Sequence, residues 1–253
     1  MEEIERVAGT EPAEIARRIA AARPVIFTDM SSQWPACHRW SLDYLRSFAD
    51  RRVLVAQSYP GRLDVSSDGI PQKEIPLGEF LDGLAGGRTD RYLITPLRST
   101  LPELVEDLRW PAVFEQASFS DLRIWLGPAD YCTPLHRDMP DNLFLQVFGS
   151  KNVILLPRDV RGVYRHGVLS GAPNFACVDA EDPDLSRFPR FPADDRITCV
   201  VRAGEVLYIP RLWWHQLRSI DVSASVSLWF ANGLPGLLAR GAQRYASWRK
   251  LRP

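Results

Sequence analysis

The sequence predicts a mainly-β domain, a sandwich or barrel carrying short flanking helices, and three observations predict it. From Asp121 onward the chain is a series of short β-rich runs: Leu122 to Leu126, Leu143 to Phe148, Asn152 to Leu156, Ile197 to Val201, Val206 to Ile209 and Ser223 to Phe230. Turn residues punctuate the series, with Gly149-Ser150 and Ala203-Gly204 reading as tight hairpin turns. Strands of this length and spacing are what closed or doubly layered antiparallel sheets are built from.

The residues ahead of that series mix helix and strand. Thr10 is placed to cap a helix entered at Glu11-Pro12, with Ile15 and Ile19 one turn apart, and Pro24 to Phe27 reads as a short buried strand. Ser41 opens a helix through Leu45, and Arg52 to Gln57 reads as a strand. Thr100-Leu101-Pro102-Glu103 fits a capping box for a helix running toward Leu108. Within the β series, the polar stretch from Asp179 to Asp195 reads as a loop insertion, and Leu237 to Arg249 reads as an amphipathic helix. We therefore expect α/β elements over 1–120 packing on a barrel, a barrel core over 121–232, and a C-terminal helix over 233–253. A chain of 253 residues is long enough to bury a substantial core in this way.

Lys plus Arg total 31 and Asp plus Glu total 31, so the chain has no overall bias toward nucleic acid or acidic membranes. The four cysteines, Cys37, Cys132, Cys177 and Cys199, form no CxxC pair, which argues against a zinc knuckle or a disulfide framework and for reduced thiols. The start, Met1-Glu2-Glu3-Ile4-Glu5, is acidic where a signal peptide is basic. No apolar run approaches the roughly 20 residues a membrane helix needs. The expectation is a cytoplasmic protein with no membrane contact.

Only four histidines occur: His38, His136, His166 and His215. In Thr133-Pro134-Leu135-His136-Arg137-Asp138 the His and Asp are two apart, so on an extended segment both point to one side. His215, at the start of a late strand after Trp213-Trp214, can bring a second imidazole. Two imidazoles and a carboxylate on one face, with open positions opposite, suit iron(II) in an oxygenase. An isolated HxD also occurs in ordinary loops, and a His beside two tryptophans also serves as a packed core residue. His38 and His166 have no partner at ligand spacing.

The stretch Thr133 to Lys151, followed by Val153-Ile-Leu-Leu-Pro157, resembles the metal-binding hairpin of the JmjC and cupin-like oxygenases. So do Gly204 to Gln216 and Ser225 to Phe230. Arg23-Pro24-Val25-Ile26, Gln33-Trp34-Pro35-Ala36 and Trp40-Ser41-Leu42 resemble the amino-terminal part of the family's small protein-hydroxylase branch, so the likeness runs nearly end to end. It implies a double-stranded β-helix, the jelly-roll or cupin barrel of JmjC type. It also implies an Fe(II)-dependent dioxygenase that uses 2-oxoglutarate as co-substrate with molecular oxygen.

On that resemblance His136, Asp138 and His215 are the metal ligands and catalytic residues, and Lys151 binds the distal carboxylate of 2-oxoglutarate. A carboxylate taken out of water needs a paired cation, although a Lys after a Gly-Ser turn is also commonly a solvated surface residue. Thr133 and Tyr92 match further donors to that carboxylate, and Asn142 matches an amide near the metal; Asn142 also reads as a turn residue after Pro140-Asp141. Ser227 stands where some relatives place an Asn beside the metal. The resemblance further implies hydroxylation of an amino-acid side chain in a peptide or protein. Modification of RNA or of a small molecule is the less favoured alternative, with Arg240, Arg244, Arg249, Lys250 and Arg252 as the basic set concerned for RNA. Leu237, Leu238 and Trp248 would allow a homodimer through the terminal helix. A metal-dependent barrel enzyme that does not use 2-oxoglutarate would keep the triad without needing Lys151, and a scaffold protein could keep the fold alone.

Overall fold

The computed structural model describes residues 3–241 apart from positions 9, 10, 58, 60, 66–68, 112, 113, 115, 116, 168, 169, 235 and 237. The chain opens with β1 (Glu5–Val7), α1 (Pro12–Ala20), β2 (Val25–Phe27), α2 (Pro35–Arg39), α3 (Leu42–Arg46), β3 (Arg52–Gln57) and β4 (Gln72–Pro76). It continues through α4 (Leu77–Ala85), β5 (Arg91–Pro96), α5 (Leu97–Thr100) and α6 (Pro102–Val105). The β series follows as β6 (Phe119–Gly127), β7 (Cys132–Arg137), β8 (Asp141–Phe148), β9 (Lys151–Leu156), β10 (Ile197–Val201), β11 (Val206–Ile209), β12 (Trp214–Ser219) and β13 (Ser223–Ala231).

These strands form a nine-stranded sheet, in the order β1-β2-β11-β8-β13-β6-β5-β3-β4, facing a four-stranded sheet, β10-β9-β12-β7. From β6 to β13 the chain changes sheet at every step except β9 to β10, which is the jelly-roll arrangement. The strands ahead of β6 extend the larger sheet on both sides of it, through β2 on β11 and β5 on β6.

This topology corrects the expected hairpins. Gly149-Ser150 joins β8 to β9, and Ala203-Gly204 joins β10 to β11, but in each case the two strands lie in different sheets. The turns are corners of the barrel. Gly149 has φ 70°, and a Cβ there would run into Asp221 and the Val222 carbonyl. The corner is pinned by Ser150 N donating to Asp221 Oδ1 at 2.8 Å.

Two expected caps also need correction or placing. Ser41 caps α3 as expected, accepting from Tyr44 N at 3.0 Å. Thr10 lies outside the described residues, and Glu11 holds the N-cap position of α1 without a side-chain bond. The capping box at Thr100 does not form. Pro102 disfavours helical geometry at Leu101, whose ψ is 60°, so the chain breaks into two one-turn helices; Thr100 ends the first and buried Leu101 caps the second. The second helix stops at Val105 rather than running toward Leu108.

Apolar residues fill three layers. Ile15, Trp34, Trp40, Leu45 and Phe80 pack on the outer face of the large sheet against Leu122, Leu143 and Val226. Phe144, Val153, Leu155, Leu207, Ile209 and Leu217 form a second cluster, drawn from strands of both sheets. Leu135, Ile154, Leu156 and Trp214 of the small sheet are covered by Val178, Ala180, Phe188 and Phe191. The insertion read over Asp179 to Asp195 thus belongs to a longer connection, from β9 to β10, that is a packed layer of the fold. Of the C-terminal helix expected over 233–253, helical backbone is described at 233, 234, 236 and 238–241; Arg244, Trp248, Arg249, Lys250 and Arg252 lie outside the described residues, as does Leu237. The homodimer reading therefore has no support among the described residues. No helix among them is long and apolar enough to cross a membrane.

Candidate metal centre

His136 on β7 lies directly opposite His215 on β12, with ring centroids 4.1 Å apart. Asp138 follows His136 by two residues and turns to the same side. One ligating atom from each of the three lies within 4.8 Å of the others, the only such metal-capable group among the described residues. The β7 to β12 register shifts between His215 and Leu217: Leu217 faces Thr133 while His215 faces His136, so β7 carries one extra residue. This bulge reverses the side-chain alternation and lets Thr133 and His136, three apart, both turn to the interior.

Backbone carbonyls fix both imidazoles. His136 Nδ1 is 2.8 Å from the Pro134 oxygen and His215 Nδ1 is 3.0 Å from the Trp213 oxygen. A carbonyl only accepts, so each Nδ1 carries a hydrogen and each Nε2 is the nitrogen turned toward a metal. Phe175, from the insertion, stacks on His136 at 4.9 Å and 16°. Burial, reinforced by the neighbouring His215, lowers the His136 pKa to about 4, so the ring is neutral near pH 7. Burial alone would raise Asp138, but its contacts with His215, His136 and Trp229 outweigh that and hold it down at about 2. Two imidazoles and one carboxylate are a donor set that suits a divalent cation.

Lys151 begins β9 and is buried. Its Nζ donates to Tyr92 Oη at 2.6 Å and lies 5.3 Å from the Tyr92 ring centroid and 5.6 Å from that of Phe144. Among the described residues it meets no carboxylate, and burial lowers its pKa to about 7. A buried ammonium without a counter-charge is costly, and the cost falls away when an anion enters. All eight residues singled out from the sequence, His136, Asp138, His215, Lys151, Thr133, Tyr92, Asn142 and Ser227, line one cavity.

Asn142 sits within β8, buried, so the turn reading does not hold. Its Oδ1 has no hydrogen-bond partner among the described residues, an orphan facing the same cavity. Ser227 Oγ accepts from Trp125 Nε1 at 3.1 Å, which leaves the hydroxyl hydrogen available to a ligand. The donor set and the uncompensated ammonium together fit a metal with a small dianion beside it. His38 is engaged elsewhere, with Nε2 2.7 Å from the Ser32 oxygen.

The sequence did not single out Trp125, Phe144, Tyr131 or Phe175, and it left Trp229 as packing or as a wall of the substrate cleft. Tyr131 stacks on Tyr92 at 4.2 Å and 2°, and a Cβ at Gly127 would overlap the Tyr92 ring. Gly127→Ala is therefore expected to displace the ring, cost about 1–3 kcal/mol as an overpacked site, and move the Tyr92 hydroxyl away from Lys151. A thermal melt reads the first effect and titration with 2-oxoglutarate the second.

Residues 12–234 match the family described as a cupin-like domain. The chain belongs to that family. Among its relatives this cupin-like chain is 34% identical over 223 residues to Lysine-specific demethylase 8 of Danio rerio, covering 83% of the chain and 53% of the relative. It is 29% identical over 243 residues to the human Bifunctional peptidase and (3S)-lysyl hydroxylase JMJD7, covering 82% of the chain and 77% of the relative. It is 27% identical over 228 residues to tRNA wybutosine-synthesizing protein 5 of Gallus gallus, covering 82% and 70% respectively. The chain spans about half the length of the demethylase relative.

Proposed function

We propose that the protein is an Fe(II)- and 2-oxoglutarate-dependent oxygenase that hydroxylates an amino-acid side chain in a peptide or protein. The observation that carries this reading is the pairing, in one cavity, of the His136, Asp138 and His215 donor set with a buried, uncompensated Lys151. A metal-dependent barrel enzyme with no diacid to bind would have no use for that ammonium.

His136 and His215 would hold iron through Nε2 and Asp138 through a carboxylate oxygen. Iron bound there would supply the activation of oxygen that couples oxidative decarboxylation of 2-oxoglutarate, to succinate and carbon dioxide, to hydroxylation of a C–H bond. Lys151 pairs with the distal carboxylate of the co-substrate. Tyr92 accepts a hydrogen bond from Lys151 and holds the ammonium in place, and the Thr133 and Ser227 hydroxyls are available as further donors. Trp125, Phe144, Ile209 and Leu217 exclude water, so the charge pair forms in a medium where it is strong.

Two of the relatives are named for action on lysine and one for tRNA. The protein side chain is the reading adopted, and tRNA is the alternative outcome of the test. Iron-loaded protein is given 2-oxoglutarate and oxygen with peptide pools or with unfractionated tRNA, and succinate and substrate mass are followed. Iron-dependent succinate release together with a gain of one oxygen on a peptide is the expected result. The same gain on tRNA would reassign the substrate, and absence of 2-oxoglutarate consumption by metal-loaded protein with either would contradict the oxygenase reading.

A further inference from the structure

The three ligating side chains are held in different ways. His136 and His215 stand on paired strands, each tied through Nδ1 to a carbonyl two residues earlier. Asp138 lies beyond the end of β7, where no ladder fixes it. Its backbone oxygen accepts from Leu212 N at 2.7 Å, and Leu212 takes a left-handed φ of 64°, a strained choice for leucine that keeps this bond. Its carboxylate accepts from Trp229 Nε1, which is 2.9 Å from Oδ2. That same oxygen is 3.6 Å from His215 Nε2.

Trp229 reaches Asp138 from β13, in the opposite sheet, and its ring is itself held. Trp125 meets it edge-on at 5.8 Å and 70°, and the Arg123 guanidinium lies 5.9 Å from its centroid. Arg123 is in turn anchored to Asp121 at 3.0 Å, and Asp121 is the residue opposite Trp229 in the β13 to β6 register. The indole is thus a fixed donor aimed at the one ligand that lies off the strands.

We propose that Trp229 is a positioning residue for the metal centre, its indole N–H holding the Asp138 carboxylate with one oxygen toward His215 Nε2. The inference rests on the reading of the triad as a metal site. The terminal torsion of a free aspartate is broad, so an untethered carboxylate must be ordered when the metal arrives. Hydrogen-bond partners of metal ligands are commonly worth about 10–100-fold in metal affinity. Trp229 therefore acts on the metal through Asp138, without touching it.

The test is anaerobic titration of the full chain with Mn(II) alone, with the Mn(II) electron paramagnetic resonance spectrum recorded for each variant. Trp229→Phe keeps an aromatic ring and removes the donor; its Kd for Mn(II) is expected to rise about tenfold or more, with an altered spectrum. Trp229→Gln restores an N–H without the ring and is expected to recover most of the loss. Should the Phe variant fail to fold, Trp229→Leu against Trp229→Gln makes the same comparison. A Phe variant with unchanged affinity and spectrum, or equal losses in the donor and non-donor variants, would overturn the proposal alone. Absence of Mn(II) binding by the unaltered protein would overturn the metal-site reading and this inference with it.

Discussion

His136→Ala and Asp138→Ala are each expected to abolish Fe(II) binding and to reduce 2-oxoglutarate-dependent succinate release to the level without enzyme. Removing one donor leaves two, and the geometry offers no replacement: the described residues contain no other imidazole or carboxylate grouped with the remaining pair. The two variants differ in what they leave behind. His136→Ala takes a ring from beneath Phe175, a buried loss of about 1–3 kcal/mol. Asp138→Ala removes the acceptor of Trp229 while leaving β7 intact. Anaerobic calorimetry with Fe(II), alongside a succinate assay, reads both. Full succinate production by either variant would remove the triad from the mechanism.

Lys151→Met is expected to separate co-substrate binding from metal binding. Removing the partner of a buried, hydrogen-bonded charge costs about 2–5 kcal/mol, so the Kd for 2-oxoglutarate should rise by about one and a half to three and a half orders of magnitude. The Kd for Mn(II) should stay as it is. The same substitution should raise the melting temperature of the metal-free protein, because methionine fills similar space without a buried charge. The site would gain stability as it loses function.

A pH dependence follows from the same residue. Burial holds the folded-state pKa of Lys151 at about 7, below the ordinary lysine value of about 10.4. Between these values the unfolded chain binds more protons than the folded one, so the contribution of Lys151 makes the metal-free fold more stable as pH rises from about 7 to about 10. Co-substrate binding runs the other way. It needs the ammonium, so affinity for 2-oxoglutarate should fall above about pH 7, by at most about tenfold per pH unit. Lys151→Met should remove this dependence, and 2-oxoglutarate titrations between pH 6 and about 9 check it.

Part of this site was legible in the sequence because its chemistry is local, whereas Lys151, Thr133, Tyr92, Asn142 and Ser227 were reached through the family resemblance. His136 and Asp138 are two apart on an extended segment, and the short β-branched runs mark the strands, with Arg52–Gln57, Ile197–Val201 and Val206–Ile209 placed to the residue. What was not legible depends on partners distant in sequence. Gly149-Ser150 has the chemistry of a hairpin turn, yet Gly and Ser carry no information about which sheet the next strand joins. The extra residue in β7 cannot be seen without β12 beside it, although it decides that Thr133 faces inward. Asn142 matched the family's amide near the metal but read equally as a turn residue after Pro140-Asp141, and only its burial in β8 between Ile209 and Trp229 decides between the two. The capping box failed because Pro102 breaks the helix ahead of it. The indole donors of Trp125 and Trp229 were hidden for a simpler reason: tryptophan reads first as core, and only a placed acceptor shows what its N–H does.

The central claim is that one cavity holds a metal on His136, Asp138 and His215 and a diacid on Lys151. A crystal structure of the full chain, grown anaerobically with Mn(II) and 2-oxoglutarate, tests it most directly. The expected density is a single metal bridging both Nε2 atoms and an Asp138 oxygen, with the far carboxylate of the diacid in hydrogen-bond contact with Lys151 Nζ. A metal bound elsewhere, or a diacid seated away from Lys151, would contradict it.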